Sequence, residues 1–142
     1  MKSIFAASAA LLAFGTATAQ DTWESQVRQY LNNAAQLTIQ EGYEPAAANQ
    51  YGRLADDASE TMMVSMQVGY TYRVIGACDN DCSDLDIVLR YENGEEIISD
   101  VLTDSFPIVD FEPRTSGQYQ VEVRMYECSV SPCRYGVMVL RK

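Results

Sequence analysis

The sequence contains no histidine. A Ser-His-Asp or Cys-His nucleophile system, a zinc ion bound by imidazole and a histidine pH switch all need that side chain, so all three are excluded. Paired carboxylates would be the remaining route to catalysis. Carboxylates on solvated loops seldom have the raised pKa that an acid catalyst needs. The sequence therefore predicts a protein that is not an enzyme.

Basic residues are scarce. Ten lysines and arginines stand against 20 aspartates and glutamates, which gives a formal net charge of −10 at pH 7. The arginines are scattered from Arg28 to Arg141 without a basic block. Binding to nucleic acid or to an anionic membrane surface requires clustered Lys and Arg. We therefore expect neither of them among the partners.

No apolar run reaches the roughly 18 to 20 residues that a membrane-spanning helix needs. The longest run, from Ile4 to Phe14, follows the basic Lys2 and precedes Ala17-Thr18-Ala19, a small-residue cleavage site. This order is typical of a signal peptide. We therefore expect residues 1–19 to be a signal peptide, the mature protein to be periplasmic or secreted, and no insertion into the membrane.

The four cysteines form two close pairs. In an oxidising compartment, an even number of closely spaced cysteines indicates disulfides. Local pairing predicts bridges from Cys78 to Cys82 and from Cys128 to Cys133. A zinc site is the weaker interpretation, since C-x3-C and C-x4-C miss the usual C-x2-C spacing. A redox motif would need C-x-x-C at a helix start, whereas Cys78 follows a strand-like run.

One amphipathic helix is predicted within residues 20–42. Asp21 and Glu24 resemble a capping box, and Gly42 suits the helix end. The apolar residues at helical spacing are Trp23, Val27, Tyr30, Leu31 and Ala34. Such a stripe most often packs on its own domain, and the alternative is that it binds a partner.

Residues 43–142 are predicted to form one β-domain. Apolar residues alternate with polar or small ones at Met62, Val64, Met66, Val68, Tyr70, Tyr72 and Val74, and a second inward set comprises Leu85, Ile87, Leu89 and Tyr91. Gly69 marks a turn, and Asn93-Gly94 predicts a two-residue hairpin turn. Seven or eight such strands predict a mainly β protein, an antiparallel β-sandwich or jelly roll with one N-terminal amphipathic helix.

The order of these strands resembles the bacterial pre-peptidase C-terminal domain. In that family a strand containing Tyr leads into an acidic turn and a D-L-D-hydrophobic strand, and S-G-x-Y opens a later strand. The matching residues here are Tyr72, Asp84–Ile87 and Ser116–Tyr119. The resemblance covers roughly residues 51–142 and implies a secreted β-sandwich of a type often appended to proteases. Only a helix precedes the matching region, so the appended role is not carried over, and the cysteine pairs are additional to the family pattern.

Four aspartates lie within the segment CDNDCSDLDI, from Cys78 to Ile87. Asp79 and Asp81 belong to the loop closed by the first cysteine pair, and Asp84 and Asp86 share one face of the following strand. These four side chains are candidate calcium ligands, because calcium takes about six to eight oxygen ligands. The alternative is that the aspartates cap backbone amides in an acidic turn.

Two functions remain open at this point. The first is an exported, non-catalytic binding or accessory module that recognises a protein, peptide or glycan, with calcium as a candidate stabilising ion. Exposed tyrosines, with Tyr51 and Tyr126 as candidates, would favour it. The alternative is an envelope assembly or stability factor that docks a partner through the helix. That function requires the stripe containing Trp23 and Leu31 to be exposed.

Overall fold

The computed structural model describes residues 19–142, and their side chains from Thr22 onward. The predicted signal peptide therefore lies outside the described residues, apart from Ala19. Helix α1 spans Ala19–Gln40. It begins before Asp21, which lies in the first turn and is not the N-cap. Gly42, at φ 92°, follows the helix end as predicted. Within residues 19–142, no helix combines the length and the apolarity needed to cross a membrane.

Nine strands follow the helix, one more than the upper number predicted. The additional strand is β1, whose two residues are too short to produce an alternating pattern. The strands are β1 (Glu44–Pro45), β2 (Gln50–Leu54), β3 (Ser59–Met66), β4 (Tyr72–Cys78), β5 (Cys82–Tyr91), β6 (Glu96–Asp100), β7 (Ile108–Phe111), β8 (Gly117–Cys128) and β9 (Cys133–Arg141). Val68, predicted to face inward, lies beyond the end of β3 and is exposed.

The strands form two antiparallel sheets. In sheet A, β9 pairs with β4 on one side and with both β1 and β2 on the other, and β7 pairs with the far side of β4. Sheet B has the order β3-β8-β5-β6. The prediction of a mainly β antiparallel sandwich with one helix is therefore confirmed.

Two apolar clusters hold these layers together. The larger contains buried residues of both sheets, among them Val74, Leu85, Val121 and Val137. The smaller lies on the other face of sheet A, where α1 packs on β4 and β9. Its buried members are Val27, Leu31, Tyr43, Ile75, Ala77, Met138 and Leu140. Strands β4 and β9 are consequently apolar on both faces, which gives them near-continuous hydrophobic sequences.

The β5–β6 turn is wider than the predicted two-residue turn. The amide of Gly94 donates to the carbonyl of Tyr91, and the amide of Tyr91 donates to the carbonyl of Glu95. Only Gly94 in this turn has a positive φ, 88°, whereas a type I′ turn needs positive φ at both Asn93 and Gly94. The wider turn places Tyr91 at the end of the sandwich.

Candidate functional site

Both predicted cysteine pairs are bridged. Sγ–Sγ distances are 2.02 Å for Cys78–Cys82 and 2.07 Å for Cys128–Cys133. Cys82 and Cys128 are register partners on β5 and β8, so the two stapled loops lie side by side. The amide and hydroxyl of Ser129 both donate to the carbonyl of Asp81, which ties the loops together. Structural disulfides of this kind are typical of extracytoplasmic proteins.

Asp79 acts as a cap inside the first stapled loop. Its Oδ1 accepts the amide of Asp81 at 3.2 Å and its Oδ2 accepts the amide of Arg134 at 2.6 Å. The side chain is buried. Burial raises the pKa of this carboxyl, and the two amide hydrogen bonds oppose the rise. These contacts are the ones expected of an aspartate that organises a turn.

Asp84 and Asp86 share one face of β5, as predicted, and both are buried. They point away from Leu85 and Ile87, as the alternation requires, yet they are only 5% and 7% exposed. Desolvation is the main cause of a raised pKa at both, and a neighbouring carboxylate adds to it: Asp104 for Asp84, and Asp84 itself for Asp86. Asp84 Oδ1 has no hydrogen-bond partner.

The four candidate calcium ligands do not form one set. Within the described part of the chain, no three acidic or cysteine side chains are positioned to hold a metal ion. Asp79 already serves two backbone amides, and Asp84 and Asp86 belong to the following strand. A calcium ion would therefore need backbone oxygens to complete its coordination. Calcium binding stays a prediction.

The helix stripe does not offer a docking surface. Val27 and Leu31 are both 0% exposed, and Tyr30 and Ala34 pack on the same cluster. Trp23 is half-buried. The alternative function, a partner docked through this stripe, thereby loses the feature that supported it.

A groove lies at one end of the sandwich, where the β5–β6 turn meets the start of β8. Its volume is about 650 Å³, within the range of about 300 to 1,000 Å³ typical of ligand pockets. One wall is Tyr91–Asn93 with Glu95, and the other is Thr115–Tyr119. Tyr91 and Tyr119 are register partners on β5 and β8, with ring centroids 6.1 Å apart. The two walls are therefore parts of one paired ladder.

Hydrogen bonds fix both walls of this groove. Tyr119 donates its hydroxyl to the carbonyl of Thr115 at 2.6 Å, and Ser116 Oγ accepts the amide of Val68 at 2.9 Å. On the opposite wall, Gln120 Nε2 donates to the carbonyl of Glu92 at 2.9 Å. The groove is consequently preformed, which lowers the entropic cost of binding.

The chemistry of the groove is acidic and aromatic. Tyr91 is 41% exposed. Glu92 and Glu95 are exposed, and neither carboxylate forms an ion pair within residues 22–142. Among the side chains that the structure describes, none that lines the groove is basic. A cationic group could therefore meet carboxylates and an aromatic face together.

Sequence reasoning missed this groove because it placed Tyr91 in the inward set. The signal that could have found it was the Asn93-Gly94 turn flanked by glutamates. Of the two tyrosines considered, Tyr126 is 53% exposed on β8 but lies outside the groove. Tyr51 is half-buried, with the guanidinium of Arg28 stacked 3.9 Å from its ring centroid.

Comparison with known proteins identifies the fold. No protein-family model and no curated protein matches the sequence. Among solved structures, the pre-peptidase C-terminal domain of a collagenase from Bacillus anthracis is similar, with a TM-score of 0.52 and 14% identity over 65% of this chain and 87% of that one. The fold is that of a pre-peptidase C-terminal domain. Aeromonas hydrophila PliG, a periplasmic inhibitor of g-type lysozyme, is also similar, with a TM-score of 0.52 and 12% identity over 69% of this chain and 88% of that one.

Proposed function

We propose that the protein is an extracytoplasmic, non-catalytic module that binds a partner protein through the groove between Tyr91–Glu95 and Thr115–Tyr119. The observation that supports this best is the groove itself, a preformed concavity with an exposed tyrosine and two carboxylates that have no ion pair among the described residues. Tyrosines in concave, well-packed surroundings are frequent binding hot spots. The absence of histidine from the sequence supports binding over catalysis.

The charge of the groove indicates a basic partner. An Arg or Lys side chain of the partner would lie over the Tyr91 ring and pair with Glu92 or Glu95. The formal net charge of −10 would attract a basic protein over a longer range and accelerate its association. Peptides and glycans are the other classes of ligand that the sequence left open, and neutral glycans would gain nothing from this charge.

Lysozymes are the first partners to test, because PliG combines the same sandwich fold with inhibition of g-type lysozyme. We also propose a periplasmic location, as for PliG. At 12% identity the likeness carries the fold alone. The proposed partner therefore depends on the experiment.

The test measures binding to g-type lysozyme, and inhibition of its cell-wall lysis, for the protein and three variants. Tyr91→Ala should weaken binding by about 30-fold, the loss typical of an interface hot spot. Glu92→Gln with Glu95→Gln should weaken it and flatten its dependence on salt, since the removed charges would be those that salt screens.

Tyr126→Ala is the matched control, because Tyr126 is also an exposed tyrosine and lies outside the groove. It should bind like the unmodified protein. If Tyr91→Ala and Tyr126→Ala weaken binding equally, the groove is not the binding site. If no lysozyme binds, the same variants are tested with proteins captured from envelope extracts. A captured partner whose binding is unchanged by Tyr91→Ala contradicts the proposal.

A further inference from the structure

A second, smaller cleft lies where the first turns of α1 meet the two stapled loops. We call it the Trp23 cleft. Its volume is about 230 Å³, below the range of about 300 to 1,000 Å³ that suits drug-sized ligands. It therefore has room for a single residue of a ligand. Its walls are Trp23, Arg53, Asp79, Asp81, residues 130–132 and Arg134.

Two arginines stand next to each other in this cleft. Arg53 on β2 and Arg134 on β9 are register partners in an antiparallel pair, so their side chains leave the same face of sheet A. Like charges directly opposite each other destabilise a sheet. The arginines with ion pairs are Arg28, Arg73, Arg90, Arg124 and Arg141. Neither Arg53 nor Arg134 has such a partner within residues 22–142.

Asp79 lies close enough to Arg134 for their charges to attract, but neither acidic residue of the cleft forms an ion pair with Arg53 or Arg134 within residues 22–142. Both carboxylate oxygens of Asp79 already accept backbone amides. Asp81 contributes its carbonyl to Ser129, and its carboxylate accepts no hydrogen bond within the described residues. Two guanidinium groups are thus available to an anion, and one carboxylate is available to an N–H donor.

The remaining walls are apolar apart from Ser131. Trp23 is half-buried, and Val130 and Pro132 are exposed on the opposite loop. Ser131 Oγ accepts the amide of Asp56, which leaves its O–H group as a single donor. The hydroxyl groups of a sugar packed against Val130 and Pro132 would have no partners there, whereas an apolar side chain needs none.

We propose that the Trp23 cleft binds the free carboxyl terminus of a peptide chain whose last residue is apolar. Arg53 and Arg134 bind the terminal carboxylate, because paired guanidinium groups match its two oxygens. Trp23, Val130 and Pro132 pack around the last side chain. The Asp81 carboxylate accepts the amide N–H of the same residue. This site is separate from the groove between Tyr91–Glu95 and Thr115–Tyr119, which we call the Tyr91 groove.

The tryptophan provides the assay. Trp23 is the only tryptophan of the chain, so its fluorescence reports this cleft and not the Tyr91 groove. The protein is titrated with the tripeptide Ala-Ala-Leu carrying a free carboxyl terminus, with the same peptide as its C-terminal amide, and with glucuronate. We expect a saturable change with the free acid. The amide should bind about tenfold more weakly or worse, because it lacks the charge that the arginines bind.

Variants locate the site. Arg53→Gln and Arg134→Gln should each weaken binding of the free acid about tenfold. Both substitutions keep the backbone hydrogen bonds of their residues. Arg114→Gln is the matched control, since Arg114 also has no ion pair within residues 22–142 and lies outside the cleft. It should leave binding unchanged, and melting curves should show that all three variants fold.

Three results would overturn the proposal. The first is no saturable change with the free acid at millimolar concentration. The second is equal affinity for the acid and the amide, which would leave the arginines without a role. The third is saturation by glucuronate alone, which would identify an acidic glycan as the ligand. None of these results bears on lysozyme binding, which depends on Tyr91.

Discussion

Gly136 of β9 lies directly beneath Leu31 of α1. A Cβ atom on Gly136 would stand 2.7 Å from Leu31 Cδ1 and 2.9 Å from both Val27 Cγ1 and Tyr51 Cδ1. Real Cβ atoms do not approach other atoms so closely, so the missing side chain is what allows the helix to pack on sheet A.

Gly136→Ala should therefore destabilise the protein by about 1 to 3 kcal/mol, the usual cost of overpacking a well-filled core. Urea unfolding followed by circular dichroism measures the change. Gly117→Ala is the control, because a Cβ there meets nothing within 4 Å and should change stability by less than about 0.5 kcal/mol. Equal effects of the two substitutions would show that the helix is not in contact with β9.

The disulfides give the second prediction. Peptide mapping without reduction should link Cys78 to Cys82 and Cys128 to Cys133, with no free thiol. Replacing both cysteines of either pair by Ser should cost about 2 kcal/mol, because each bridge closes only a short loop. A fragment joining a cysteine of one pair to a cysteine of the other would refute the pairing.

The buried aspartates predict an unusual dependence of stability on pH. The folded-state pKa is raised at Asp79, Asp84 and Asp86, mainly by desolvation. Their contribution to stability is fully present below the unfolded pKa of about 3.9 and is lost as pH rises through the folded pKa. In metal-free buffer, Tm should therefore rise as pH falls from 7 toward the raised pKa values. The decrease in net negative charge acts in the same direction.

The ion pair of Asp110 with Arg73 should have the opposite effect on stability, which should fall as pH is lowered. Arg73 donates to its two oxygens at 2.7 and 2.8 Å, and this ion pair lowers the pKa of Asp110. The stability it contributes is present above the unfolded pKa of about 3.9 and is lost as pH falls through the lower, folded pKa.

Asp84→Asn should raise Tm at pH 7 and flatten its rise on acidification, whereas Asp110→Asn should lower Tm at pH 7. A Tm of Asp84→Asn that follows the unmodified protein at every pH would contradict the first expectation.

Calcium binding gives the fourth prediction. If Asp84 and Asp86 bind the ion, adding calcium after chelator treatment should raise Tm. At a hundredfold excess of calcium over Kd, the free energy of unfolding should increase by about 2.7 kcal/mol. Magnesium should do less, because it requires a tighter octahedron. Asp84→Asn should abolish the rise in Tm. Asp81→Asn tests whether the carboxylate of the stapled loop also contributes to calcium binding. If calcium does not change the melting curve, the prediction of a calcium site is wrong, and Asp79 serves only as a turn cap.

The fold could be predicted where local chemistry decides it. Pro107 precedes β7 at Ile108–Phe111 because proline suits a strand start, and the spacing of the cysteines was sufficient to predict both pairs. The burial of Asp84 and Asp86 could not be predicted, because alternation assigns a side chain to a face but does not say whether that face is covered. The alternating pattern also continued to Val68, past the point where the chain leaves sheet B.

The two candidate binding surfaces escaped prediction for another reason. The Tyr91 groove joins two turns that meet only because β5 pairs with β8. The Trp23 cleft joins α1, β2 and β9, and Arg53 becomes a neighbour of Arg134 only through strand register. Contacts between residues so distant in sequence leave no periodic signal, whereas the helix stripe, which is local, was recognised.

The position of β9 in sheet A also sets the order in which the protein can fold. This strand is the last of the nine along the chain, yet it separates β4 from β1 and β2, and Glu44 meets Arg141 across 97 residues. Sheet A therefore has no centre, and α1 has no complete surface to pack on, until the strand from Cys133 to Arg141 has been synthesised. Completion of sheet A thus waits for the C-terminal strand, however early the strands that flank it are available.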